Sequence, residues 1–221
     1  MTMELEQRAE LYAALGDVTR LRLLDALACG DLTPRALGEE LSLPGNLLTH
    51  HLGVLEAAGL IHRRRSDADR RSSYIQLADR ARPMLSPRLP SQPPPRVAFI
   101  CTHNSARSQL AAALWRRASN IPSVSAGTEP ATRVHPGAIL AGRRAGVDIS
   151  AATPQSLDGV LSKEDLVVSV CDNAGRQLPV DHVHWSLPDP VAVNTRAAFD
   201  ETCAELNQRV HALADIIQGE P

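Results

Sequence analysis

Residues 96–119 read RVAFICTHNSARSQLAAALWRRAS: an apolar β-type run ending at Cys101, a short polar loop, and a helical stretch. On that stretch Leu110, Ala111, Leu114, Trp115 and Ala118 recur at helical spacing and share one face. Cys101 and Arg107 therefore bracket a Cys-x5-Arg loop at the N-terminus of a helix. In such a loop the backbone N–H groups of Thr102, His103, Asn104, Ser105, Ala106 and Arg107 curl around a tetrahedral oxyanion, and the helix N-terminus adds positive potential. The planar fork of Arg107 can grip two oxygens. The same field favours a thiolate at Cys101, read as an exposed nucleophile beneath the bound anion. Ser108 is placed to hydrogen-bond that sulfur, and Asn104 to brace the loop.

Outward from this loop, strand-like runs at 97–100, 123–126, 166–170 and 183–186 alternate with helical segments, which predicts an α/β domain with a parallel sheet over 96–221. The anion site then lies at the carboxyl end of its first strand. A reaction on an oxyanion needs an acid for the leaving oxygen, and Asp189 in VHWSLPDPVAV is the candidate; the competing role is an N-cap for the final helix. Phe199, Cys203, Leu206, Val210, Leu213 and Ile217 repeat along one face of that helix, so Cys203 reads as core. His182 and His184 flank Val183 on one strand face and read as a hydrogen-bonded strand end rather than a metal site.

Before the loop, residues 82–95, RPMLSPRLPSQPPP, hold six of the sixteen prolines. That density argues against helix and central strand and predicts a polyproline II linker, at about 3.1 Å per residue. It separates a first domain over 1–81 from the second. In the first domain Leu11, Ala14 and Leu15, then Val18, Leu21, Leu24 and Leu27, mark two helices divided at Gly16-Asp17. Thr33 caps a third, and NLLTHHLGVLEAAGL forms a fourth that buries Leu48, Leu52 and Leu55, with His51 packing. Ile61 to Leu77 reads as two strands around a polar turn, and residues 62–71 carry five arginines against two aspartates. The pattern is a mainly α winged helix-turn-helix, suited to phosphate contacts beside a groove.

The 221 residues are 43% hydrophobic and 22% charged with a net charge of −2, which argues against disorder and a uniformly basic nucleic-acid coat. No apolar stretch is long enough to span a membrane, and the start, MTMELEQRAE, is acidic, so a cytoplasmic protein without membrane partners is expected. Cys29, Cys101, Cys171 and Cys203 form no CxxC pair and suggest neither a disulfide framework nor zinc.

LGDVTRLRLLDAL, LTHHLGVLEAAGLIHRRR and SSYIQL resemble the ArsR family of bacterial repressors. The resemblance implies operator DNA as partner and a homodimer. It places Asn46, Leu47, Thr49 and His50 toward the bases and Arg63, Arg64, Arg70 and Arg71 on the phosphate backbone. The helix before the recognition helix, TPRALGEEL, lacks the cysteine pair of arsenic-sensing members. FICTHNSARSQLA, SAGTEPATRVHPGA, AGVDIS, VVSVCDNAG and HWSLPDP resemble the low-molecular-weight phosphatase fold, specifically its arsenate reductase branch.

That second resemblance implies arsenate or a phosphate-like oxyanion as substrate, no bound cofactor, and Cys171 as the second redox thiol. The third thiol of thioredoxin-coupled members would fall near Leu178 and is missing, so the donor is an external thiol or redoxin: thioredoxin, glutathione or mycothiol. Three readings follow: a DNA-binding regulator fused to a thiol-dependent arsenate reductase in arsenic resistance, a tyrosine phosphatase-like hydrolase, or a regulator whose second domain only senses an oxyanion. Val191, where an aromatic usually follows the Asp-Pro pair, disfavours a phosphotyrosine slot.

Overall fold

Gly16 and Asp17 divide the first apolar run into α1 (Leu5–Leu15) and α2 (Val18–Ala26), with the Asp17 carboxylate accepting from the Arg20 N–H at the start of α2. The computed structural model describes residues 4–85 and 92–219, and the chain divides into two units between Arg88 and Leu89. In the first unit Thr33 caps α3 (Pro34–Glu40), with Pro34 at the first helical position where no N–H is needed. After a short turn comes α4 (Gly45–Ala57), which sends Leu48, His51, Leu52 and Leu55 inward. The antiparallel pair β1 (Ile61–Arg65) and β2 (Ser73–Leu77) follows, with Ile61 opposite Leu77. Leu23, Leu24, Leu37, Leu52, Leu55, Leu60 and Ile75 form the centre of its core.

The chain after β2 departs from the sequence reading. Asp79–Met84 form a 3-10 helix that buries Ala81, and Met84 and Leu85 pack on the core, so residues 82–85 are not extended linker. Pro83 is tolerated because it occupies the second position of a turn closed by the Leu85 N–H on the Arg82 carbonyl, where its missing donor costs nothing. The expected polyproline II course of residues 86–91 lies outside the described residues.

In the second unit β3 (Val97–Cys101) is buried at every residue, and the parallel sheet runs β4 (Ser123–Gly127), β3, β5 (Leu166–Ser169), β6 (Val183–His184). A strand buried on both faces reads as a continuous apolar run, as VAFIC does. After β3 comes α5 (Arg107–Ala118), whose residues Arg107–Trp115 are all buried. The single apolar face expected there is thus too narrow: Ala111, Ala112 and Ala113 are small enough to let α5 lie closely against β3, β4 and the long α9 (Arg196–Gln218). The remaining helices are α6 (Pro136–Arg144), α7 (Asp172–Gln177) and α8 (Pro190–Val193). The face of α9 from Phe199 to Ile217 is buried, Cys203 included. Among the described residues no helix is long and apolar enough to cross a membrane.

Phe99 stands at the centre of the second core, with ring centroids 5.9 Å from both Trp115 and Trp185. Phe99→Ala removes the ring between both tryptophans and is expected to cost about 3–5 kcal/mol, measured by urea unfolding followed through tryptophan fluorescence.

Candidate functional site

The carboxyl end of β3 delivers Cys101 to the loop, which is fixed from outside at four carbonyls. The carbonyls of Cys101, Thr102, His103 and Ser105 accept bonds from the N–H groups of Thr128, Glu129, Ala131 and His135, at 3.2, 2.8, 2.9 and 2.8 Å. Because an amide N–H points opposite the carbonyl of its own peptide unit, this outer ring of bonds turns loop amides inward. Asn104 takes a left-handed conformation (φ 48°), which asparagine tolerates better than most residues, and its N–H donates to Cys101 Sγ at 3.2 Å. The Asn104 side chain is fully buried and bonded at both its oxygen and its nitrogen. Its oxygen accepts from Gln109 Nε2 (3.0 Å) and the Gln155 N–H (3.0 Å), and its amide donates to Ser108 Oγ (2.8 Å).

That last bond orients the hydroxyl: with an oxygen lone pair occupied by Asn104, the Ser108 hydrogen is free to point at Cys101 Sγ, 2.9 Å away. Cys101 is only 3% exposed, not the open thiol expected, because it lies at the floor of the loop; its sulfur nevertheless meets polar donors there. Gly127 permits the close approach of β4. A Cβ there would lie 2.6 Å from the Thr102 oxygen and 3.0 Å from the Asn104 nitrogen.

Arg107 opens α5, is 8% exposed, and donates to the Leu187 carbonyl at 3.0 Å. Its second terminal nitrogen lies 3.2 Å from Asp189 Oδ1. Asp189 also accepts from the Val191 N–H and caps the short α8, whereas the final helix is capped by Thr195. The cap competing with the acid role is real but belongs to a different helix. Its side chain keeps 34% of its surface open.

Cys171 caps α7, accepting from the Ala174 N–H at 3.4 Å, and its sulfur is 3.4 Å from Thr102 Oγ1. The fold thus sets a second thiol against the loop that holds the first. Burial pushes the Cys171 thiol above its ordinary range; Arg107 opposes the shift and neighbouring Cys101 adds to it. His103 faces outward, its Nδ1 2.9 Å from the Glu129 carbonyl, while Ser105 and Ala106 complete the loop. The anchors Gln109, Gln155, Gly127 and the Leu187 carbonyl escaped the sequence reading. Only SAGT at Gly127, beside a strand end, carried a local signal of close approach.

In the first unit Asn46, Leu47, Thr49 and His50 are exposed on α4 while His51 is buried. The wing is less free than its charge suggested. Arg63 pairs with Glu56 at 3.0 Å, Arg64 with Asp67 at 3.0 Å and Arg71 with Asp69 at 3.2 Å. The Arg64 side chain is only 18% exposed and pairs within the hairpin turn. Among the described residues no group of three or more His, Cys, Asp or Glu is placed to hold a metal ion.

Comparison with known proteins agrees with the second unit's geometry. Residues 96–220 match the family model described as low molecular weight phosphotyrosine protein phosphatase, and the chain belongs to that family. It is similar to an arsenate reductase of Brevibacillus brevis, 37% identical over 125 residues that cover 53% of this chain and 92% of the relative. An arsenate reductase of Bacillus cereus is 34% identical over the same proportions. A tyrosine phosphatase from Erwinia amylovora superimposes with a TM-score of 0.50 at 17% identity, covering 56% of this chain and 93% of that one, a likeness of fold alone. Residues 17–72 match the model described as MarR family, where ArsR was expected. The matched span covers α2 to β1 and the turn after it, and stops before β2.

Gly127→Ala forces the loop off β4 and is expected to abolish phosphate protection of Cys101 against iodoacetamide, while circular dichroism stays close to that of the parent chain.

Proposed function

We propose that the chain is a DNA-binding regulator fused to a thiol-dependent arsenate reductase, acting in the cytoplasm in arsenic resistance. The observation that carries the enzymatic half is the placement of two thiols at one oxyanion loop: Cys101 beneath it, and Cys171, from the start of α7, touching Thr102 at its edge. Relatives named arsenate reductase support the same reading.

The loop amides and Arg107 bind arsenate in place of phosphate. The Cys101 thiolate, held by the Ser108 hydroxyl, attacks arsenic, and Asp189 protonates the departing oxygen, which leaves as water. Cys171 then loses its proton and attacks Cys101 Sγ. The S–S bond forms, the S–As bond breaks, and its electron pair stays on arsenic, so As(V) leaves as arsenite while two thiols become a disulfide. An external thiol or redoxin reduces that disulfide, since Leu178 supplies no third relay sulfur.

Purified chain is expected to reduce arsenate with at least one of thioredoxin, glutathione or mycothiol. Cys101→Ser abolishes this, and retained turnover in that variant contradicts the mechanism. Cys171→Ser keeps anion binding but loses turnover. Because the Cys171 thiol is held above its ordinary range, its thiolate fraction rises with pH throughout the neutral and mildly alkaline interval. Disulfide closure should therefore accelerate by about tenfold per unit there. If aryl phosphates turn over and arsenate does not, the phosphatase reading replaces this one; anion binding without any turnover leaves a sensor.

The first unit, as a homodimer, reads operator DNA through Asn46, Leu47, Thr49 and His50, with Arg63, Arg64, Arg70 and Arg71 on the phosphates. The exposed face of α4 supports this. In gel shifts Arg70→Ala is expected to weaken all sequences alike and lower the salt slope by about 1, whereas Asn46→Ala relaxes preference by about 1–3 kcal/mol at one base pair. Unchanged binding in both variants would refute the assignment.

A further inference from the structure

Three side chains that the mechanism above does not use form a buried chain beside Cys171. Ser169, which ends β5, stands opposite His184 of β6 in the sheet register, and its Oγ is 2.6 Å from His184 Nδ1. His184 Nε2 is 3.0 Å from Asp172 Oδ1 at the start of α7. All three are buried, with Ser169 and Asp172 at 0% and 1% exposure. A neutral imidazole satisfies both bonds at once, donating from Nε2 to the carboxylate and accepting at Nδ1 from the hydroxyl. The Ser-His-Asp order invites comparison with a nucleophilic triad, but Ser169 is sealed inside the sheet and cannot meet a substrate.

The positions say what the chain does. Ser169 lies two residues before Cys171 and Asp172 one residue after it, so a single imidazole from the neighbouring strand ties the backbone on both sides of the thiol. Packing closes the same joint: Gly175 of α7 lies against His184, where a Cβ would fall 2.8 Å from Nδ1. The turn from β5 into α7 is thereby pinned, and the Cys171 sulfur is held toward Thr102. A buried carboxylate is costly unless it is paired and hydrogen-bonded, as Asp172 is to His184.

We propose that Ser169, His184 and Asp172 are positioning residues for the resolving thiol: an imidazole staple across Cys171 that sets how fast it closes on Cys101. This rests on the two-thiol reading of the site, and its effect is on closure and not on anion binding. Misplacing a reacting atom by about 1 Å can cost as much as 10²-fold in rate, so loosening the turn should be felt at this step.

The test uses the full chain and follows Cys101–Cys171 disulfide formation by peptide mass, driven in one arm by arsenate and in the other by diamide, which oxidises a dithiol whatever the natural substrate. Protection of Cys101 by inorganic phosphate against iodoacetamide is measured alongside. Asp172→Ala is expected to slow closure by about tenfold or more in both arms with phosphate protection unchanged. Asp172→Asn keeps an oxygen for the His184 N–H and should stay within about threefold of the parent. Ser169→Ala, which removes one end of the staple with little change of volume, should fall between them.

Closure at the parent rate in Asp172→Ala overturns the proposal, and so does an equal loss of phosphate protection, which would show general damage. A parent chain that closes with diamide but not with arsenate removes the reductase reading and leaves the staple to be judged in the diamide arm. One that closes with neither shows that Cys171 is not positioned and overturns it.

Discussion

The hold on Asn104 is the constraint from which the site follows. Its left-handed backbone turns the chain back over Cys101, and that conformation costs on the order of 1 kcal/mol for a residue with a side chain. Gln109, the Gln155 backbone and Ser108 offset the strain by satisfying both ends of its buried amide. The outer bonds from residues 128–135 complete the work by holding the loop carbonyls away from the interior. Amides so fixed cost no reorganisation when negative charge arrives, which is what makes them effective against an oxyanion.

Charge is distributed around that cup with economy. Arg107 is buried but anchored by the Leu187 carbonyl and by the Asp189 carboxylate. Asp189 in turn is steadied by capping α8, which leaves an acid within reach of the guanidinium and partly open to solvent. Cys171, following β5, meets the loop through Thr102. The parallel order of β4, β3, β5 and β6 brings these pieces to one end of the sheet, since every strand delivers its following loop there.

Much of this was legible because it is local. Cys101, Asn104, Arg107 and Ser108 lie within eight residues, and the strand and helix around them announce themselves by an apolar run and an apolar stripe. The N-cap Thr33, the break at Gly16-Asp17 and the apolar positions of α4 are likewise short-range signals. What escaped is long-range or compensated. Gln155 meets Asn104 across 51 residues, and the bond is to a backbone N–H that no residue type betrays. The alanines of α5 carry too weak a periodic signal to reveal that the helix is covered on more than one face. In the wing, counting arginines overlooked Glu56, which comes from α4 and pairs with Arg63. Pro83 argued against helix in part because it lacks an N–H, and in this 3-10 turn that donor is not needed.

The central claim is that arsenic is reduced by two thiols, Cys101 in the loop and Cys171 against its edge. It is tested most directly by mixing the fully reduced chain with arsenate and no other reductant, then measuring arsenite released against disulfide formed. The account predicts about one arsenite per chain, matched by a single disulfide joining the Cys101 and Cys171 peptides, after which release stops. Arsenite continuing without added thiol, or release with both cysteines still free, would contradict it.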